Sequence, residues 1–402
     1  MDPLSFLSNV EPKTLDSLYA QYLNDPESVD RSWRLFFAGF DLANSNFSEG
    51  GATPVTLNEF KVLELIHGYR TRGHLFTSTN PVRERRTYTP TLAIENFDLS
   101  ESDLETVFDA GTQIGIGPSS LKSIIAHLEE TYCNSISVEY MYMRQPTRVS
   151  WIRDQIELGN RKIFTTKNKL HILKKIGQAT LFEEFLHKKF VGQKRFSLEG
   201  GESLIPALDA LIEYGTEFGV KEVIIGMAHR GRLSTLAHVL GKSYTDIFSE
   251  FQGKDYGVED DFEGDVKYHL GHSRTQTADS GKEISITLAP NPSHLEAVDP
   301  IVLGIARARI DELDGDESAI LPILIHGDAA IAGQGIVYEI AQMSGLDGYR
   351  AGGTIHIVVN NQVGFTTNYL DGRTSTYCTD VGKVNQSLIF HVNSDDSEAV
   401  VQ

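Results

Sequence analysis

Apolar positions keep two different rhythms along the chain, and the change comes at about residue 197. Before it the spacing is helical. In TLDSLYAQYLNDPESVDRSWRLFFAGF, Leu15, Leu18, Tyr19 and Tyr22 recur three or four residues apart, and Asp25-Pro26 interrupts the run. Val29, Trp33, Phe36, Phe37 and Phe40 then make a second apolar face. This segment, residues 1–45, reads either as a helix pair packed on its own domain or as a docking helix, because Trp and Phe anchors suit helix-in-groove binding. Residues 46–56 are rich in Gly, Ser, Asn and Pro and read as a linker. Residues 57–145 read as a mostly helical region. In it, LNEFKVLELIHGYRTRGHL places Phe60, Leu63, Leu65 and Ile66 on one side, and SSLKSIIAHLEETYCNSISVEYMYM is a helix passing into an extended stretch. His67, His74 and His127 read as structural histidines.

From about 197 onward, helices alternate with short apolar runs. ESLIPALDALIEYG is a helix with Leu204, Leu208, Leu211 and Ile212 inward, KEVIIGMA a buried strand, and RLSTLAHVLG a helix. KEISITL alternates as a strand does. SHLEAVDPIVLGIARARIDEL reads as a helix opened by Ser293 and Glu296 in capping-box spacing and kinked at Pro300. ILPILI is a strand, IAGQGIVYEIAQMSG a helix, and TIHIVV a strand. Continuous apolar strands separated by helices predict an α/β fold, a parallel sheet flanked by helices, preceded by a helical N-terminal region.

Bulk composition narrows the function classes. The formal net charge of −19 argues against a nucleic-acid partner. No run approaches the eighteen apolar residues of a membrane span. Cys133 and Cys378 are too few for a disulfide framework or a Cys-rich zinc site and suit a reducing compartment. The opening MDPLSFLSNVEP has no basic region, no long apolar core and no Arg-rich presequence character, so a cytoplasmic location is the expectation.

Ligands of parallel sheets bind beyond the carboxyl ends of the strands, and those ends carry the polar chemistry. KEVIIGMA ends in His229-Arg230-Gly231-Arg232, ILPILI in His326-Gly327-Asp328, TIHIVV in Asn360-Asn361-Gln362, and KEISITL in Ala289-Pro290-Asn291-Pro292-Ser293-His294. The stretch HGDAAIAGQG is no P-loop, because it lacks lysine, and no dinucleotide fingerprint, because the third glycine fails. A metal reading does better. Thirty-three positions separate Asp328 from Asn361, the length of one strand-helix-strand unit, so the two belong at the ends of neighbouring strands. A carboxylate and an amide oxygen are hard ligands that suit Mg²⁺ or Ca²⁺. Gly327, Ala329 and Ala330 would leave backbone N–H groups open to phosphate. The spacing therefore points to a Mg²⁺-diphosphate site, with a plain Gly-Asp turn as the alternative.

These residues resemble the thiamine diphosphate motif, Gly-Asp-Ala with an Asn about thirty residues on. HGDAAIAGQGIVYE with VVNNQVGFTT is similar to one family, the E1 component of the 2-oxoglutarate dehydrogenase complex. MAHRGRLSTL, GDVKYHLG, NPSHLEAVDP, YCTDVGKV, IFHVNSDD, PESVDRSWRLFF and YRTRGHL match it too, over nearly the whole chain. The resemblance implies the thiamine-diphosphate-binding fold, with residues 146–402 as the diphosphate- and Mg²⁺-binding domain. It implies Mg²⁺ on Asp328, Asn361 and the carbonyl of Val363, and Arg230 at the cofactor. It also implies a 2-oxo acid pocket lined by His229, His269 and Ser273, with His294 as a further candidate. The implied reaction is oxidative decarboxylation of 2-oxoglutarate, with transfer of the succinyl group to the lipoyl group of an E2 partner, in the tricarboxylic acid cycle. Trp33, Phe36 and Phe37 would then belong to an E2-docking arm, and the full-length protein would be a homodimer. Ser234 stands where the family usually has Asn.

The final residues, HVNSDDSEAVVQ, read as capping residues Ser394–Asp396 and one short helical turn. Such an end is expected of a fragment, truncated before the domain that binds the aminopyrimidine ring in the family and with little or no turnover alone. Two rivals stand beside this reading: a non-catalytic thiamine diphosphate- or E2-binding module, and a 2-oxo acid decarboxylase or carboligase that releases an aldehyde.

Overall fold

The computed structural model describes residues 12–30, 33–34, 36–37, 57–82, 87–159, 163–252, 269–364 and 366–402. The expected linker 46–56 and Phe40 lie outside them. The chain divides into two compact units, Met1–Lys61 and Val62–Gln402.

In the first unit, the helix Pro12–Asn24 stops at Asp25, whose carboxylate accepts from the Glu27 backbone N–H and caps a 3-10 turn at Pro26–Ser28. Phe37 is buried among Tyr19 (ring centroids 5.0 Å), Tyr22 (5.4 Å), Trp33 (5.6 Å) and Phe36 (5.4 Å). Its area is thus already spent inside the unit, while Trp33 and Phe36 stay half-buried.

The second unit begins with a core of its own. Val62, Leu65, Ile66 and Tyr69, spaced i, i+3, i+4, i+7 on the helix Leu57–Arg72, pack with Leu121, Ile124, Leu128 and Tyr132 of the helix Leu121–Tyr132. Phe60 lies on the opposite side of that stripe and is exposed, contrary to the face read from sequence. The region is also less helical than expected. Among the described residues between Gly73 and Ser120, the chain runs through 3-10 turns and the short antiparallel pair β1 (Val107–Phe108) and β2 (Ser119–Ser120). Gly115 and Gly117, both with positive φ, interrupt any helix there.

The strand β3 (Ile136–Glu139) pairs antiparallel with β11 (Ile389–Val392), tying this region to the distant end of the chain. Glu139 is the buried tie-point: His391 lies at 2.8 Å, Lys383 at 2.6 Å and His74 at 3.5 Å. Burial alone would raise the carboxyl pKa, but the His391 bond, His74 and Lys383 together pull it down to about 2. His74, read from sequence as a lone structural histidine, is therefore a network member.

The sheet that carries the chemistry has the order β5–β6–β4–β7–β8. The strands are β4 (Glu222–Met227), β5 (His272–Thr277), β6 (Glu283–Leu288), β7 (Ile320–Gly327) and β8 (Ile355–Val359). All neighbours are parallel except β5, which runs antiparallel along β6. Alternation along β4 explains the two layers. Val223, Ile225 and Met227 face Leu204, Leu208 and Ile212 of the helix Leu204–Glu217. Ile224 faces the other way, onto Val298, Val302, Ala306 and Ile310 of the helix Val298–Glu312.

Two helices differ from the sequence reading. The helix after β6 starts at Val298, so Pro300 falls in its first turn, where no N–H is needed and no kink follows. Ser293 and Glu296 are freed from capping. The helix after β7 is split at Gln334 into Asp328–Gly333 and Gly335–Met343. Among the described residues the terminal turn is as expected, a helix at Ser397–Val401 capped by Asp396.

Candidate active site at the strand ends

β6 and β7 flank β4 on opposite sides, so the connections diverge at the end of β4 and open a crevice there. Gly231, at φ +76°, makes the turn out of β4, and a Cβ on it would lie 2.7 Å from Leu198. Arg232 follows and is completely buried. Its guanidinium donates to the carbonyls of Met227 (3.3 Å), Leu270 (2.8 Å) and Ala289 (2.7 Å). One side chain thus ties together the ends of β4 and β6 and the loop before β5. Burial pushes its pKa down to about 10, which still leaves it charged at neutral pH.

This staple sets out a pair of imidazoles. His229 lies between Phe196 (5.1 Å) and His269 (5.2 Å, stacked). His269 is hydrogen-bonded to Ser293 Oγ at 3.0 Å, and its carbonyl accepts from the Asn291 N–H at 2.9 Å. Burial lowers the His229 pKa, helped by His269 and Arg232, so the ring is neutral at pH 7. Ser273 bonds instead across the strand pair to Thr287, at 3.2 Å, and the His294 side chain is exposed. Ser293 was missed as a site residue because its spacing to Glu296 imitates a capping box. Ser234 is fully buried in the helix Arg232–His238.

On the other side of β4, Gly327 of β7 pairs with Val359 of β8. Asp328 and Asn361 follow one and two residues beyond that pair. The next strand, β9 (Val363–Gly364), doubles back as a hairpin with β10 (Thr367–Asn368). Gly364 crosses close to the helix Asp328–Gly333, where a Cβ would lie 2.9 Å from the Ala329 Cβ. Asp328 is buried, and that burial raises its pKa; Arg373 Nη1, 3.3 Å from Oδ2, offsets the effect only in part. Ala330 is buried and Ala329 exposed at the start of the same helix. Added Cβ atoms at Gly327, Gly333 and Gly335 would meet nothing within 4 Å, so these glycines are not required for close packing. A cavity of about 2090 Å³ opens beside this corner, lined by Arg230, Asn361 and Arg373 among others.

Beneath Asp328 is a buried carboxylate pair. His326 Nδ1 is 2.6 Å from Glu296 and 3.8 Å from Asp299, and its Nε2 is 2.9 Å from His356 Nδ1. Glu296 reaches His326 from a left-handed backbone, φ +67°. Burial, and then the neighbouring Glu296, push Asp299 up to about 9. Asp299 thus holds a proton at neutral pH. A pKa raised from 3.8 gives a stabilising contribution that is whole below pH 4 and is lost as pH rises through about 9. Asp299→Asn keeps the neutral form at every pH. Its melting temperature, relative to the unmodified chain, is expected to climb steadily between pH 5 and 9.5. A constant difference over that range would contradict a protonated Asp299.

Comparison with known proteins decides the family. Residues 174–402 match the model described as dehydrogenase E1 component. This chain belongs to the dehydrogenase E1 component family. Residues 4–44 match a second model, 2-oxoglutarate dehydrogenase N-terminus. Among curated relatives, the 2-oxoglutarate dehydrogenase E1 component of Azotobacter vinelandii is 41% identical over 98% of this chain and 45% of its own length. That of Brucella ovis is 37% identical over 99% of this chain and 47% of its own. A protein named multifunctional 2-oxoglutarate metabolism enzyme, from Mycolicibacterium vanbaalenii, is 46% identical over 85% of this chain and 28% of its own. The chain spans about half the length of the first two relatives. The dehydrogenase E1 family is thiamine diphosphate-dependent. Among the described residues, no helix is long and apolar enough to cross a membrane.

Proposed function

We propose that this chain is the diphosphate-binding half of a 2-oxoglutarate dehydrogenase E1 component. The observation that carries the reading is the register of β7 and β8, in which Gly327 pairs with Val359, so that Asp328 and Asn361 both follow at the same end of neighbouring strands. Asp328 and Asn361 would hold Mg²⁺ together with the Val363 carbonyl, and the buried, under-compensated carboxylate of Asp328 fits a divalent cation. The backbone from Gly327 to Ala330, and Arg230 at the cavity, would face the diphosphate. The bound cofactor supplies the carbanion and the electron sink for decarboxylation. The chain's own residues bind and orient. Neutral His229 and the His269–Ser293 pair would hold the oxygens of the 2-oxo acid and move a proton at the imidazole nitrogens. Ser273 and His294 are more exposed than His229 and His269 and would meet the distal carboxylate.

In this reading residues 1–45 dock the lipoyl-bearing E2, residues 57–145 form the region between that arm and the catalytic domain, and residues 146–402 form the cofactor-binding domain. The aminopyrimidine-binding residues are assigned to the part of the relatives' length that this chain does not span. The succinyl group would pass to the lipoyl group of E2, and the full-length protein would act as a homodimer in the cytoplasm. Ferricyanide reduction with 2-oxoglutarate, Mg²⁺ and thiamine diphosphate tests the division of labour. The purified chain is expected to stay at background. A rate near that of a full-length relative would overturn the half-enzyme reading.

A further inference from the structure

Arg373 is the cation that Asp328 has in this structure, and the pairing is a poor one. The contact is a single bond, Nη1 to Oδ2 at 3.3 Å, with both side chains largely buried, at 11% and 3% exposure. The geometry falls short of the two parallel bonds that an Arg–carboxylate pair prefers. Arg373 Nε is buried and has no hydrogen-bond partner among the described residues. The guanidinium also lies 5.7 Å from the Tyr369 ring centroid, so its position is shared with a stacking contact. The residue sits on a turn, just after the four-residue helix Tyr369–Gly372 and before the buried Cys378. That turn belongs to the segment entered directly from the β9–β10 hairpin, which carries the Val363 carbonyl.

Two cations therefore have a claim on one carboxylate. A divalent ion on Asp328 would displace the guanidinium from Oδ2, because both need the same oxygens and the ion carries twice the charge at shorter range. The displaced guanidinium would remain on its short turn, beside the corner where a metal-bound diphosphate presents several anionic oxygens. Planar, multiply donating guanidinium groups bind such oxygens well.

We propose that Arg373 is a two-state residue: it is the counter-ion of Asp328 when the metal site is empty, and it turns to the diphosphate when metal and cofactor bind. The inference rests on the Mg²⁺-diphosphate reading of Asp328. It adds a binding residue that the motif spacing does not mark, and it predicts metal and cofactor to be taken up together, since metal alone must compete with Arg373.

Mn²⁺ binding to the whole chain, followed by electron paramagnetic resonance with and without thiamine diphosphate, tests it. Without the cofactor, Arg373→Gln is expected to bind Mn²⁺ about tenfold more tightly than the unmodified chain. With the cofactor, the order is expected to invert, and the variant to bind Mn²⁺ several-fold more weakly. Arg373→Lys, which keeps the charge, is expected to stay near the unmodified chain without cofactor, and it covers the case in which the Gln variant does not fold. A purely structural role for Arg373 would weaken binding in both states, and that result would overturn the proposal. So would unchanged Mn²⁺ binding without cofactor. Asp328→Asn separates the two layers. If it leaves Mn²⁺ binding intact, the metal reading itself fails; if it abolishes binding while Arg373→Gln changes nothing, only the two-state inference fails.

Discussion

Asp328→Ala is expected to remove Mg²⁺-dependent binding of thiamine diphosphate, a loss of at least roughly 100-fold, because outer partners of metal ligands alone cost 10–100-fold. The fold should tolerate the change. Asp328 starts a helix of six residues, and its carboxylate is buried at some cost, with one long contact to Arg373. Removing it leaves Arg373 without its acceptor, so a modest fall in melting temperature is expected alongside the binding loss. Calorimetry of cofactor binding and circular dichroism of the same sample separate these effects. If Asp328→Ala binds the cofactor as well as the unmodified chain does, with Mg²⁺ present, the strand-end site is misassigned.

The largest stability effect is expected at Arg232. Its guanidinium makes three bonds to backbone carbonyls from three separate segments, in a site with no water access. Hydrogen bonds to charged groups contribute about 1.5–3 kcal/mol each. Arg232→Met keeps much of the volume but leaves three carbonyls, those of Met227 and Ala289 buried, short of a donor, and should cost on the order of 3–5 kcal/mol. The loss also reaches the site, since the staple holds the ends of β4 and β6 and the loop that carries His269. Urea denaturation of the variant checks the magnitude. A loss under about 1 kcal/mol would mean that the carbonyls find other donors. Arg232→Lys should fall between, because one ammonium cannot span all three carbonyls.

The architecture was legible where a strand lies in the sheet interior. β4 and β7 read as unbroken apolar runs because both faces are covered, and the length of one crossover placed Asp328 and Asn361 after the ends of neighbouring strands, as the pairing of β7 with β8 has it. What sequence did not yield was long-range chemistry. Ser293 and Glu296 carry a local signature of helix capping. The chain spends them instead on His269 and His326, residues far from them in sequence. Arg373 carries no motif at all; only the fold brings it to Asp328. Phe60 was misassigned for a simpler reason. A short window of mixed apolar residues supports two helical phases, and Val62, Leu65, Ile66 and Tyr69 win because all four find partners.

The central claim is that these strand ends hold a diphosphate through a divalent metal. Titration calorimetry of the purified chain with thiamine diphosphate, in Mg²⁺ and again in EDTA, tests it most directly. The account predicts one site per chain with Mg²⁺ and binding at least tenfold weaker without it. Equal affinity in the two conditions, or no binding in Mg²⁺, would contradict it.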